Sequence, residues 1–285
     1  MTRDWASHDV RDGRDQLHVS PGRQPVFREL GIDAEAVFAH ELIVPWRTLP
    51  DRENCTLDAA LRDGRRVRWH VKRYASARGK RSPAEAELTG HRLLIERGVP
   101  TVDLVAWGKL ADGRSFVVLD DLADFDAADK LIERGLGFER LLEPTARLAA
   151  QLHSAGLHHR DLYLCHFFAR VSDKSVDLRL IDTARVRSLP RFLAARWLIK
   201  DLAQFFYSTL SLPVTDDERS RWLMFYARAR SLDPEALRPK IERKVRWIGR
   251  HDARLRLQEP LRNVSIPAVA PTPPHPSPAG RGGDA

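Results

Sequence analysis

Hydrophobic and polar positions change rhythm once along this chain. Up to about residue 120 the apolar residues come in short runs with the alternation of strands, and beyond Asp121 they recur every three or four positions, as in helices. "NCTLDAAL" and "VRWHVKRY" flank "RDGRR", which predicts a hairpin turning at Asp63-Gly64. "SPAEAELTGHRLLIERG" predicts a helix, with Ser82 ahead of Pro83, acids in the first turn and a stop at Gly98. "VDLVAWGKL" and "SFVVLDDL" predict a second hairpin around Asp112-Gly113. Then "FERLLEPTARLAAQLHSAG" reads as a long helix closing on Gly156, followed by three more helical stretches.

A strand-rich half joined to a helix-rich half through an acidic connection near 119–122 predicts two lobes around a cleft. The expected organisation is a polar N-terminal extension at 1–25, an N-lobe at 26–119, a C-lobe at 120–263 and a disordered Pro-rich tail at 264–285. Composition agrees, since 285 residues with 43% hydrophobic content can bury a two-lobed core. The net charge of +8 describes either a solvated basic surface or attraction to an anionic partner such as nucleotide, nucleic acid, lipid or acidic glycan. Two distant cysteines, Cys55 and Cys165, exclude a disulfide scaffold or a cysteine zinc site and suit a reducing compartment. The first twenty residues lack an apolar stretch and no run of 18 apolar residues occurs, so the expectation is a cytoplasmic protein whose membrane contact is peripheral.

The stretch "HHRDLYLCHFF" follows the helix ending in "LAAQLHSAG" and precedes "VDLRLIDTARV", read as a strand ending in Asp182. Protein kinases carry H-R-D-L-x-x-x-N followed by a metal-binding Asp. His159, Arg160, Asp161 and Leu162 match, and His166 stands where the Asn would be. Asp161 could take the proton of an acceptor hydroxyl, Asp182 could hold Mg²⁺ on the phosphates, and Arg160 could pair with nearby acids to shape the loop. Against this, HRD arises by chance in an arginine-rich chain, and His153, His158, His159 and His166 could be zinc ligands or structural histidines. No cysteine pair or HExxH accompanies them, which weakens the zinc alternative. Upstream, Lys72 on a strand could grip the α/β-phosphates, paired with Glu85 or Glu87, the other acid serving the helix dipole. Asp201 sits on an apolar helix, where buttressing the loop would supply the hydrogen bonds a buried carboxylate needs; a surface position is the competing reading.

"HRDLYLCHFF…LRLIDTARVR", with "KDLAQFFYSTL" and "ERGVPTVDLVAWG", resembles the lipopolysaccharide core kinases of the Kdo/WaaP family over roughly 65–250. Those proteins carry an H-R-D-x-Y-x-x-H loop, so His166 is expected in its place. The resemblance implies an α+β, bilobal, protein-kinase-like fold, a small antiparallel N-lobe sheet with one helix and a mainly helical C-lobe. It implies Asp161 as catalytic base with Arg160 beside it, Lys72 paired to Glu87, Asp182 as metal ligand, and His166 near the metal or the phosphates. ATP with Mg²⁺, or Mn²⁺ because imidazole is a poor ligand for Mg²⁺, would phosphorylate a heptose or Kdo hydroxyl of the inner core at the cytoplasmic membrane face. Two departures stand out. The family's "IDLHRA" reads "IDTARV" here, so that Thr183 and Ala184 replace residues that could contact substrate. No glycine-rich loop occurs in "TLPDRENCTLDAALRDGRR", so the phosphate-covering turn is expected from polar residues near Asp51 to Cys55. An atypical serine/threonine protein kinase is the first alternative. A catalytically silent scaffold or nucleic-acid binder is the second, disfavoured by the joint presence of Lys72, Asp161 and Asp182; no nucleic-acid partner is expected.

Overall fold

Alternation builds the first lobe of the computed structural model, which describes residues 15–75, 82–190 and 192–258. β1 (Gln16–Val19), β2 (Ile43–Leu49), β3 (Arg52–Ala60), β4 (Arg66–Tyr74), β5 (Leu104–Lys109) and β6 (Ser115–Asp120) form one antiparallel sheet in the order β1-β5-β6-β4-β3-β2. Both expected hairpins are present, with Gly64 and Gly113 at φ 83° and 89°, a region that L side chains rarely enter. Cys55, Leu57, Trp69 and Val71 face one side, packed with residues of α1 (Gln24–Leu30) and α2 (Ala36–Ala39). The opposite face carries α3 (Pro83–Glu96), where Tyr74, Leu88, Val117 and Leu119 form a second small core.

Part of the expected N-terminal extension belongs to this lobe. β1 pairs with β5 in register from Gln16↔Lys109 to Val19↔Ala106, and α1 begins at Gln24. Four residues of alternation carry little local signal, and the partner strand lies some ninety positions away. Residues 1–14 and the Pro-rich tail at 264–285 lie outside the described residues.

Beyond the connection after Asp120 come β7 (Asp126–Ala127), α4 (Ala128–Glu133), α5 (Glu139–Ser154), β8 (Leu157–His158), β9 (Phe167–Val171), β10 (Val176–Leu180) and β11 (Arg187–Ser188). The helices α6 (Ala194–Thr209), α7 (Asp216–Ala229) and α8 (Pro234–Gln258) follow. Their core stacks Phe205 on Trp222 at 4.1 Å and Trp222 on Tyr226 at 5.8 Å. The strand before Asp182 stops at Leu180, two residues earlier than expected, because Asp182 itself has φ 59°. Leu180 also ties the lobes together, its N–H donating to the Pro100 carbonyl and its own carbonyl accepting from Thr101 Oγ1 at 2.6 Å. This is the α+β, bilobal architecture expected from the sequence, an antiparallel sheet with α3 in the first lobe and mainly helices in the second.

Candidate active site

One face of α6 grips the loop that carries Asp161. Asp201, with no exposed surface, accepts the N–H groups of His159 at 2.7 Å and Arg160 at 2.8 Å. Lys200 Nζ donates to the Arg160 carbonyl. Gln204 Nε2 donates to Asp161 Oδ1 at 3.3 Å, while its Oε1 accepts from Lys200 at 3.2 Å. One turn further on, Ser208 Oγ accepts the Leu164 N–H at 2.9 Å. Positions 200, 204 and 208 share a face because helical neighbours recur every four residues. Arg160 and Asp182 are two of the three non-glycine residues with positive φ among those described, at 67° and 59°. Such strain persists where the surroundings over-determine it, as these bonds do at Arg160. Burial would push the Asp201 carboxyl up, but the hydrogen bonds and charges from His153 and His159 outweigh it and hold the carboxyl low.

The cation side of the cleft is assembled from β4, α3 and the segment after β10. Lys72 Nζ stands 2.6 Å from Glu87 Oε1 and 3.5 Å from Asp182 Oδ1. Glu87, 1% exposed, also accepts from the Tyr74 hydroxyl. Burial opposes the Lys72 charge, yet Glu87 and Asp182 raise its pKa. In return the Lys72 ammonium holds Asp182 well below the usual carboxylate range, against the cost of burial. The two candidate acids of α3 divide the work. Glu85 closes a capping box with Ser82, and Glu87 takes Lys72.

Thr183 is buried against α3. It is 2% exposed and donates to the Glu87 carbonyl at 2.9 Å, locking the Asp182 segment onto α3. That contact needs Gly90, where an added Cβ would lie 1.8 Å from the Thr183 carbonyl oxygen. In an ordinary helix Gly→Ala is favourable by about 1 kcal/mol. Here Gly90→Ala is expected to lower the melting temperature, since α3 and the Asp182 segment can no longer approach. Thermal melts check this, and a variant that melts as high as the wild type or higher would refute it.

Asp161, His166 and Asp182 converge so that one ligand atom from each lies within 4.8 Å of the others. His166 Nδ1 faces the Asp161 carbonyl at 2.7 Å, which makes it the donor and leaves Nε2 toward Asp182 Oδ2 at 3.7 Å. Burial works against a charged His166, but Cys165, Asp182 and the Asp161 carbonyl outweigh it and raise its pKa to about 10. Two carboxylates open to a cleft suit a divalent cation that completes its shell with phosphate oxygens and water, and His166 can join them only when that cation displaces the proton its raised pKa keeps on Nε2. The remaining histidines do not join this cluster. His153 bonds Tyr226 and Asp201, His158 lies against Trp197, and His159 bonds the Ile181 carbonyl.

Among the described residues Arg160 pairs with no acid, contrary to the expectation. Its guanidinium lies over the Trp197 ring at 4.7 Å, and the residue shapes the loop through its backbone. Sequence reasoning also passed over Lys200, Gln204 and Arg185. Arg185 Nη1 stands 3.5 Å from Asp161 Oδ1 with a side chain 63% exposed. The four-residue spacing within "KDLAQFFYS" signals a shared face for Lys200, Gln204 and Ser208, but their target lies some 40 residues upstream.

Residues 54–226 match the model of the lipopolysaccharide kinase (Kdo/WaaP) family. The lipopolysaccharide core heptose(I) kinase WaaP of Pseudomonas aeruginosa is 34% identical over 163 residues, covering 51% of this chain and 59% of that protein. Its counterpart in Escherichia coli is 27% identical over 183 residues, covering 56% and 69%, and that of strain K12 is 24% identical over 186 residues with the same coverage. The match therefore spans less than two thirds of the Pseudomonas relative and a little more than two thirds of the other two. Among solved structures, the pseudokinase domain of BIR2, an immune regulator of the RLK/Pelle family, aligns over 80% of this chain and 78% of its own, with TM-score 0.41 and 16% identity.

Proposed function

The chain belongs to the lipopolysaccharide kinase (Kdo/WaaP) family, and from that premise we propose that it is an ATP-dependent kinase acting on a sugar hydroxyl of the lipopolysaccharide inner core. The names of its relatives favour heptose over Kdo as the acceptor. The observation that carries the reading is the convergence in one cleft of Lys72 on Glu87, Asp182 on Lys72, and Asp161 beside His166. Lys72 binds the nucleotide phosphates, held upright by Glu87. Asp161 takes the proton of the acceptor hydroxyl as its oxygen bonds to the γ-phosphorus and the bond to the β-phosphate oxygen breaks, releasing ADP. Asp182, with His166 once its Nε2 proton is displaced, would hold a divalent cation, Mg²⁺ or Mn²⁺, which would neutralise phosphate charge when bound.

A peripheral bilayer contact is part of this reading. No described helix is long and apolar enough to cross a membrane. Phe192 is 99% exposed, Leu193 47% and Trp247 49%, and Lys244 Nζ lies 3.5 Å over the Trp247 ring. Arg243, Arg246 and Arg250 recur beside Trp247 at helical spacing. Exposed aromatics among cations suit an anionic headgroup layer.

The test offers γ-labelled ATP, Mg²⁺ or Mn²⁺ and dephosphorylated inner-core glycolipid in phosphatidylglycerol or phosphatidylcholine vesicles. Label should enter the glycolipid, faster on the anionic vesicles. Label in protein alone would replace the sugar kinase with a protein kinase. Equal rates on both vesicles would remove the bilayer contact.

A further inference from the structure

The roof of the cleft lacks the device by which a glycine-rich loop cradles phosphates. No glycine lies between Gly31 and Gly64. β2 and β3 pair down to Leu49↔Arg52, leaving only Pro50 and Asp51 as the turn. A ladder closed so tightly has no run of free backbone N–H groups to offer an anion.

Side chains stand there instead. Cross-strand partners share a face of a sheet, and the ladder puts Arg47, Asn54 and Lys72 in one row across β2, β3 and β4. Arg52 faces Tyr74 in the adjacent row, two residues from Asn54 and so on the same side. The register shift between Pro45 and Arg47 makes this possible. Pro45 opposite Cys55 belongs to the other face, and the extra residue Trp46 swings Arg47 back to the cleft side. On that other face the cation Arg73 is satisfied by Glu53 at 3.2 Å and by the carbonyls of Val37 and Ile43.

On the cleft side the account is open. Arg47 Nε, Arg52 Nε and Asn54 Oδ1 are buried and have no hydrogen-bond partner among the described residues. Buried polar atoms in a folded protein are rarely left so, and each asks for a ligand or water. The two acids that meet at Lys72 on this side, Glu87 and Asp182, are already engaged by its ammonium. The charge of Arg52 nonetheless reaches that centre, since it acts on Asp182, Lys72 and Tyr74.

We propose that Arg47 and Arg52 form a side-chain cradle for the phosphates of the bound nucleotide, doing with guanidinium groups what a glycine-rich loop does with backbone N–H groups. The inference rests on the reading of the chain as an ATP-dependent kinase. Guanidinium matches phosphate with forked donors that a Lys cannot reproduce.

The test is equilibrium binding of ATP, ADP, adenosine and inorganic tripolyphosphate to the full chain by calorimetry, comparing wild type with Arg47→Ala, Arg52→Ala and Arg52→Lys. Arg52→Ala should weaken ATP about tenfold to a hundredfold, the worth of a charged hydrogen bond, with adenosine binding and the melting temperature unchanged. Arg52→Lys should recover part of the loss, and tripolyphosphate should compete with ATP in the wild type. Unaltered ATP affinity in both alanine variants would overturn the cradle while leaving the kinase reading intact. Equal weakening of adenosine and ATP would also overturn it, by making Arg52 a prop of the hairpin. A wild type that binds no nucleotide would remove both readings together.

Discussion

Asp161→Asn is expected to lower the rate of phosphoryl transfer by about 10²–10⁴-fold, with ATP affinity close to that of the wild type. Asparagine keeps the size of the side chain and an oxygen for Gln204 Nε2, which now donates to Asp161 Oδ1 at 3.3 Å. The loop itself should stay in place, because Asp201, Lys200 and Ser208 hold its backbone and none of them touches the Asp161 carboxylate. What disappears is the carboxylate proposed to take the substrate proton, which stands 3.5 Å from the cation of Arg185. Because Asp161 also stands in the cluster with His166 and Asp182, a loss of metal affinity would mimic this result. The two are separable: raising Mg²⁺ or Mn²⁺ would rescue a metal defect and leave a base defect untouched. Turnover within threefold of wild type would remove Asp161 from the chemistry.

Asp201→Ala is expected to cost about 3–5 kcal/mol of stability, the range seen when one partner of a buried charged network is removed. For a chain of this size that is a fall in melting temperature on the order of ten degrees. The substitution strands the N–H groups of His159 and Arg160 and leaves His153 without its carboxylate, all in a region closed to water. Asp201→Asn, which retains one acceptor oxygen, should fall between. The pH dependence has a definite sign. A carboxyl held low in the folded state contributes stability above its unfolded value of about 3.9 and loses it as pH falls through the folded value. The gap between wild type and Asp201→Ala should therefore be full at neutral pH and narrow in acid. A gap constant down to acid pH would mean the carboxylate charge is not what the loop uses.

Much of this protein was legible in its one-dimensional pattern. The two hairpins at Asp63-Gly64 and Asp112-Gly113 and α3 with its Ser82 cap follow from alternation and from start and stop residues within ten or so positions. β1 and α2 did not, because four residues of pattern carry too little signal without their partners. The loop residues Asp161 and His166 and the strand lysine Lys72 were recognisable by motif. Glu87 was separable from Glu85 only by resemblance, since both lie on the same helix within two positions. Thr183, read in the sequence only as a replacement for a family residue that could contact substrate, is a bolt between the Asp182 segment and α3.

Local sequence determined the elements, their caps and turns, and the kind of chemistry the loop can host, since those depend on residues near one another along the chain. Tertiary structure alone decided which carboxylates and cations meet. Lys72 and Asp182 are 110 residues apart, and Gln204 reaches Asp161 across 43. A helical glycine at 90 is a liability until α3 packs onto Thr183, and Arg47 faces the cleft only because a bulge changes the parity of β2. Reach of this kind is set by strand register and helix approach, which are properties of packing between distant segments.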